Sequence, residues 1–188
     1  IWIGTEESLF LYADGKLEEL HLLSSTYLHG LIQAFCVQED SHHNIWIGSS
    51  TGLYRYKEEG MPAAWQQYTM KDGLPNDFIY SILEDERGRL WLTTNKGLSC
   101  FNREEGTFLN YTKQDGLPHD QFNFFGACKA EDGTFYLGSL GGVTYFKPYE
   151  LGDNPYSPNA VVTGAVVFNQ VITDMKSERV RYYQDEQG

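Results

Sequence analysis

Five histidines, His21, His29, His42, His43 and His119, are the first candidates for acid–base or metal chemistry in this chain. Only His42 and His43 are adjacent, in the polar stretch Asp40-Ser-His-His-Asn44. A metal held through imidazole needs several ligands converging on one point. A two-histidine turn without a carboxylate at ligand spacing falls short of that, so the pair reads as solvated turn residues. The carboxylates Asp85-Glu86 and Glu131-Asp132 could supply an acid and a base for glycoside cleavage. Both pairs sit in equivalent polar turns, however, and repeated occupancy of one turn reads as turn chemistry. Cys100, between Ser99 and Phe101, has no nearby histidine to activate it as a nucleophile. No catalytic constellation and no metal site emerge, and nothing calls for a cofactor.

The charge balance narrows the partners. The chain has 188 residues, 26 of them acidic and 14 basic, for a net charge of −12. A nucleic-acid binder needs a basic footprint, which is missing. The acidic balance also disfavours anionic lipid. The longest apolar-rich run, Ala160 to Phe168, is far below the roughly 20 residues that span a bilayer, so no membrane insertion is expected. Cys36, Cys100 and Cys128 show no CxxC spacing. Each falls in an expected strand, where a free cysteine acts as a small apolar residue.

The elements that must position any site follow from an internal repeat. Four segments align without gaps, beginning Ile1-Trp-Ile-Gly, Ile45-Trp-Ile-Gly, Leu90-Trp-Leu-Thr and Phe135-Tyr-Leu-Gly. Their starts lie 44, 45 and 45 residues apart. In the third copy, Ile79–Leu83, Leu90–Thr93, Leu98–Phe101 and Thr107–Thr112 read as four strands. The turns between them carry Gly or Asn, which tolerate positive φ. A period of about 40–50 residues built from four short strands is that of a β-propeller blade. Trp2, Trp46, Trp91 and Tyr136 share one repeat position, which reads as packing between blades. Trp65 lies off that position, just ahead of an outer strand.

A second mark recurs between blades: Asp72-Gly-Leu-Pro-Asn76 and Asp115-Gly-Leu-Pro-His119, 43 residues apart. Gly frees the backbone and Pro ends ladder bonding, so this reads as the crossover to the next blade. Leu can plug an apolar gap there. Leu28-His-Gly-Leu31 is a weaker version. Crossovers and second-to-third strand turns share one face of a propeller. The candidate ligand-binding residues are therefore Asn76, Asp77, His119 and Asp120 from the crossovers. Ser49, Ser50, Asn95, Lys96 and Ser139 join them from the turns.

These residues also resemble a known family. The Asp-Gly-Leu-Pro turns, the polar turn before Leu90-Trp-Leu-Thr, the Thr-Asn-Lys-Gly-Leu run, and Asp40–Asn44 before Ile45-Trp-Ile-Gly are similar to the two-component regulator propeller repeat. The resemblance covers residues 1–150. It implies the extracytoplasmic, periplasmic sensor region of a hybrid two-component system. Such a region responds to a polysaccharide-derived oligosaccharide and works as a homodimer, with the histidine kinase elsewhere in the parent chain. Residues 151–158 then read as a linker. Val161–Phe168 and the Val-Ile pair after Asn169-Gln170 resemble the start of the family's Ig-like β-sandwich, over 159–188.

The expected fold is thus all-β: about four propeller blades, the first and last incomplete, then the start of an Ig-like sandwich. Blade one opens on its second strand, and the last blade lacks its fourth. This predicts a fragment of a larger ring whose remaining blades are a natural partner. Two other readings compete with the sensor: a secreted propeller lyase or hydrolase, and a protein-interaction scaffold.

Overall fold

A computed structural model of the protein describes residues 1–4, 9–20, 33–57, 64–151, 165–167 and 170–172. The chain divides into two compact units, Ile1–Gly152 and Asp153–Gly188.

Four antiparallel sheets build the first unit, each a meander in chain order. The first holds β1 (Trp2–Gly4), β2 (Leu9–Ala13) and β3 (Lys16–Leu20). The second holds β4 (Ala34–Glu39), β5 (Ile45–Ser49), β6 (Gly52–Lys57) and β7 (Ala64–Tyr68). The third holds β8 (Ile79–Glu84), β9 (Leu90–Thr94), β10 (Gly97–Asn102) and β11 (Thr107–Tyr111). The fourth holds β12 (Phe122–Lys129), β13 (Phe135–Ser139) and β14 (Gly142–Phe146). The aromatic repeat segments supply β1, β5, β9 and β13 and the strand after each. The first sheet accordingly lacks a first strand and the last lacks a fourth, among the described residues. Trp65 lies inside β7 rather than ahead of it, with its ring 4.9 Å from that of Tyr56.

Edge strands β4, β8 and β12 lie against one another, so the sheets fan out from a common inner edge. Each gap between sheets has its own core. Ile47 and Tyr54 of the second sheet face Trp2 of the first. Trp46 and Leu53 meet Ile82, Leu90 and Phe101 between the second and third. Trp91, Leu98 and Cys100 meet Phe122, Phe135 and Leu137 between the third and fourth. Burying one such side chain contributes roughly 1.5–3 kcal/mol. Every residue of β5 and of β9 is buried, because both faces of those strands are covered. In β13 burial alternates, because one face has no neighbouring sheet among the described residues. Tyr136 is therefore exposed, unlike Trp46 and Trp91. For the same reason Cys128, which pairs with Tyr136, is exposed, contrary to its reading as a buried hydrophobe.

In the second unit, β15 (Ala165–Val167) and β16 (Gln170–Ile172) form an antiparallel hairpin. The rest of the region read as an Ig-like sandwich lies outside the described residues, as do Leu28–Leu31 and the linker beyond Leu151.

Candidate functional site

The crossovers shape one face of the first unit. After β7 and β11 the chain turns through single 3-10 turns, Met70–Asp72 and Lys113–Asp115. The hydroxyls of Thr69 and Thr112 accept from the N–H of Lys71 and Gln114 at 3.3 Å. Asp72 and Asp115 accept in return from the Thr69 and Thr112 N–H at 2.8 Å, which closes a capping box. Gly73 and Gly116 leave these turns at φ of 115° and 103°, a left-handed exit that a side chain would strain. Leu74 then plugs the gap between the second and third sheets, and Leu117 packs between the third and fourth. The Asp-Gly-Leu-Pro motif is thus a cap, an exit, a plug and a stop.

Most of the sequence-derived candidates serve the same architecture. Asp77 accepts from the Met70 N–H and Asp120 from the Lys113 N–H, both at 2.7 Å. Asn76 Oδ1 accepts from the Phe78 N–H at 2.9 Å. His119 Nδ1 accepts from the Gln121 N–H at 3.0 Å, which places the proton of a neutral ring on Nε2. Ser49 and Ser139 are buried, and their hydroxyls donate to the carbonyls of Gly52 (2.9 Å) and Gly142 (3.0 Å). Thr94 does the same to Gly97 at 2.7 Å. The two serines therefore brace hairpins and do not line an accessible surface. Ser50 is half-buried, and its N–H donates to the Gln33 carbonyl at 3.1 Å. Asn95 and Lys96 are exposed. Crossovers and hairpin turns do share one face: the Gly97 N–H donates to the Asp120 carbonyl at 2.6 Å, and Leu140 to Gln121 at 3.1 Å.

An aromatic cluster on the inner edge escaped the sequence reading. In β4 the pairing steps from Ala34–Ser49 to Cys36–Gly48, so Phe35 is a bulged residue. In β8 it steps from Ile79–Thr94 to Ser81–Thr93, and Tyr80 bulges. In β12 it jumps from Phe122–Ser139 to Ala127–Leu137, so the bulge spans Asn123–Gly126. The bulged rings meet: Phe124 lies 4.9 Å from Phe35 and 4.4 Å from Tyr80, centroid to centroid. Phe125 stands at φ 55° and is 88% exposed, a conformation a bulky side chain rarely holds. A cavity of about 680 Å³ opens here, walled by Trp2, Gln33, Phe35, Phe124 and Phe125 among others. One signal could have found it. Crossovers recur after 43 residues and core strands after 45, and the two surplus residues are absorbed in this bulge.

The opposite turns hold a polar lock that pattern reading also missed. Asp40 accepts from Trp46 Nε1 at 2.6 Å, from the backbone of His42 and Asn44, and from Arg103. Asp85 accepts from Trp91 Nε1 at 2.9 Å and from Arg89 Nε at 2.8 Å. Burial by itself would raise the pKa of both carboxyls. Hydrogen bonds from Trp46, Asn44 and His42 outweigh it and bring Asp40 down to about 2. Trp91 and Arg89 likewise hold Asp85 below the usual carboxylate range. Through Asp40, Arg103, in the turn after β10, ties the second sheet's turn to the third, and it also reaches Glu84 of β8 at 2.9 Å. At the next interface the Pro148 carbonyl accepts from Arg89 at 3.2 Å. One period after Asp85 and Trp91 stand Ala130 and Tyr136, so both partners of the lock are replaced together.

Among the described residues no three His, Cys, Asp or Glu side chains converge on a metal-sized site. No helix among them is long and apolar enough to cross a membrane. His43 Nδ1 lies 2.6 Å from Glu39, whose hydrogen bond and charge raise its pKa. Burial pushes the Cys36 thiol up to about 12, the opposite of an activated nucleophile.

Residues 73–96 match the two component regulator propeller family. Histidine kinase P4 of Formosa agariphila is 28% identical over 178 residues, which make up 92% of this chain and 13% of that protein. The extracellular domain of a hybrid two component system from B. thetaiotaomicron superposes with a TM-score of 0.72 at 25% identity. That match covers 96% of this chain and 24% of that one. Virginiamycin B lyase from Staphylococcus aureus matches with a TM-score of 0.53 at 17% identity, over 78% of this chain and 51% of that chain, a likeness of fold alone. The chain therefore spans about an eighth of the curated relative and a quarter of the solved extracellular domain.

Proposed function

We propose that this chain is part of the extracytoplasmic sensor region of a two-component system, lying in the periplasm and relaying ligand binding to a histidine kinase. The ligand is an oligosaccharide released from a polysaccharide. It docks on the crossover face, where Phe35 and Phe124 meet Tyr80 with Phe125 beside them, and where the Tyr80 hydroxyl donates to the exposed Asn95 amide at 3.2 Å. The carrying observation is the pair of exposed rings, Phe124 and Phe125, the second held at φ 55°. Flat rings pack against the apolar faces of sugar rings, and amides bond their hydroxyls. Asn76, Asp77, His119 and Asp120 shape the platform by fixing its turns. The chain performs no chemistry of its own. The remaining blades of the ring and a second receptor copy are its partners. Signalling requires the ligand to bind two receptor arrangements with different affinity.

Calorimetry of the full chain against a panel of glycan oligosaccharides tests this. One glycan class should bind saturably, and Phe124→Ala and Phe125→Ala should each weaken it, the second without lowering the melting temperature because that side chain is 88% exposed. Binding indifferent to both changes would overturn the site. Turnover of any panel member would favour the lyase or hydrolase reading.

A further inference from the structure

A second site, independent of the sensing proposal, lies on the face opposite the crossovers. The chain has six arginines in an excess of acidic residues. Four of them, Arg55, Arg87, Arg89 and Arg103, wall one cavity of about 300 Å³ at the junction of the second and third sheets. They arrive from three different elements: Arg55 from β6, Arg103 from the turn after β10, and Arg87 and Arg89 from the turn between β8 and β9. Such convergence in so acidic a chain needs a cause.

The interblade lock accounts for half of it. Arg103 is anchored by Asp40 and Glu84, and Arg89 by Asp85. The side chains of Asp40 and Asp85 are 0% and 3% exposed, so these carboxylates sit behind the wall and fix the two guanidinia in place. The other half is held by neutral groups, Tyr68 among them. Arg55 spends Nε and Nη2 on the neutral Asn44 oxygen, at 3.2 and 2.6 Å, with its guanidinium over the Trp46 ring. Arg87 is exposed and reaches the Tyr149 carbonyl at 3.5 Å, the outer limit of a hydrogen bond. Among the described residues neither is paired with a carboxylate. Gly88, between Arg87 and Arg89, leaves room for Arg103: a Cβ there would meet its Nη2 at 2.5 Å. Glu104 is the wall's acidic member.

We infer that this cavity is an oxyanion-binding site, built to take a sulfate, phosphate or similar tetrahedral anion, either free or as an ester on a sugar. Guanidinium N–H groups match the paired oxygens of such anions; Arg55 and Arg87 supply the donors, while Arg103 and Arg89, fixed by Asp40, Glu84 and Asp85, hold the basic wall in place. Pre-setting lowers the ordering cost on binding. The cavity's volume admits one such group with part of its carrier.

Calorimetry and side-chain NMR of the arginine Nε–H groups in the full chain provide the test. Sodium sulfate and sodium phosphate are titrated against sodium chloride at matched ionic strength. Sulfate should shift the Arg55 and Arg87 signals saturably, and chloride should not. Each of Arg55→Gln and Arg87→Gln should weaken sulfate about tenfold, the share of one charge-assisted hydrogen bond. Arg87 is exposed, so Arg87→Gln keeps the test valid if Arg55→Gln unfolds the protein. Glu104→Gln should tighten binding severalfold, a gain no folding defect can mimic. Glucosamine 6-sulfate binding tighter than free sulfate assigns an ester-bearing ligand; equal or weaker binding assigns the free anion. The inference is overturned if sulfate and chloride act alike at matched ionic strength, or if Arg87→Gln and Glu104→Gln leave the sulfate affinity unchanged.

Discussion

The third and fourth sheets share a repeat and differ in their surroundings. In the third, β9 is buried at every residue and Trp91 is 1% exposed, with its indole N–H held by Asp85. In the fourth, β13 is buried on one side, Tyr136 takes the indole's position at 43% exposed, and Ala130 takes the aspartate's. The lock goes with the Asp–Trp pair, which the fourth sheet lacks. An indole N–H in a dry gap must be satisfied, and a carboxylate placed there must be saturated with donors. With Tyr136 and Ala130 in those two places the fourth sheet has neither an indole N–H nor a carboxylate to satisfy there.

That contrast can be broken by substitution. Trp91→Ala should cost about 3–5 kcal/mol, the range for emptying a core site, while Tyr136→Ala should cost under about 1 kcal/mol. Urea unfolding of the two variants measures this, and equal losses would refute the difference in surroundings. Asp85→Ala strands the Trp91 N–H and the Arg89 guanidinium, so it should cost about 3 kcal/mol. Asp132→Ala, at an exposed turn of the fourth sheet, should cost less than about 0.5 kcal/mol.

Acid sharpens the same contrast. The folded pKa of Asp40 is depressed, so its stabilisation is fully present above the unfolded carboxyl value and lost as pH falls through about 2. Between about pH 4 and pH 2 the chain should lose about 2 kcal/mol through this group. Asp40→Asn should flatten that part of a stability-against-pH curve, and an unchanged curve would remove the lock from the account. The smallest effect is expected at Phe125. Phe125→Gly relieves a left-handed conformation while losing little burial, and should raise stability by up to about 1 kcal/mol in thermal melts. Tyr80→Gly, at a bulge that is 5% exposed, should destabilise instead.

The strands were legible because their aromatic and β-branched residues recur with one period, and a period survives whatever packs around it. In the third copy the expected strands match β8–β11 to within a residue at most ends. The plug role of Leu74 was legible for the same reason: an isolated Leu in a polar turn has to be covered. The proposed aromatic platform was not legible. Asn76, Asp77, His119 and Asp120 look like ligand residues because they are polar and on loops, yet their acceptor atoms are taken by backbone N–H groups two to seven residues away. Sequence displays a side chain's chemistry but not whether its hydrogen bonds are already spent. The aromatic cluster was hidden for a different reason. Phe35, Tyr80 and Phe124 are far apart in the chain and meet through bulges, which shift register without leaving a compositional mark.

The β12 bulge has a consequence for how such a chain can change. It takes up two residues more than the stretch between the first crossover and β9, yet β13 pairs with β14 in the same register as β5 with β6. Length polymorphism at the hub is thereby insulated from the spokes. A duplicated unit can gain or shed residues there, and acquire new aromatic fingers, without rewriting the contacts that stack one unit on the next.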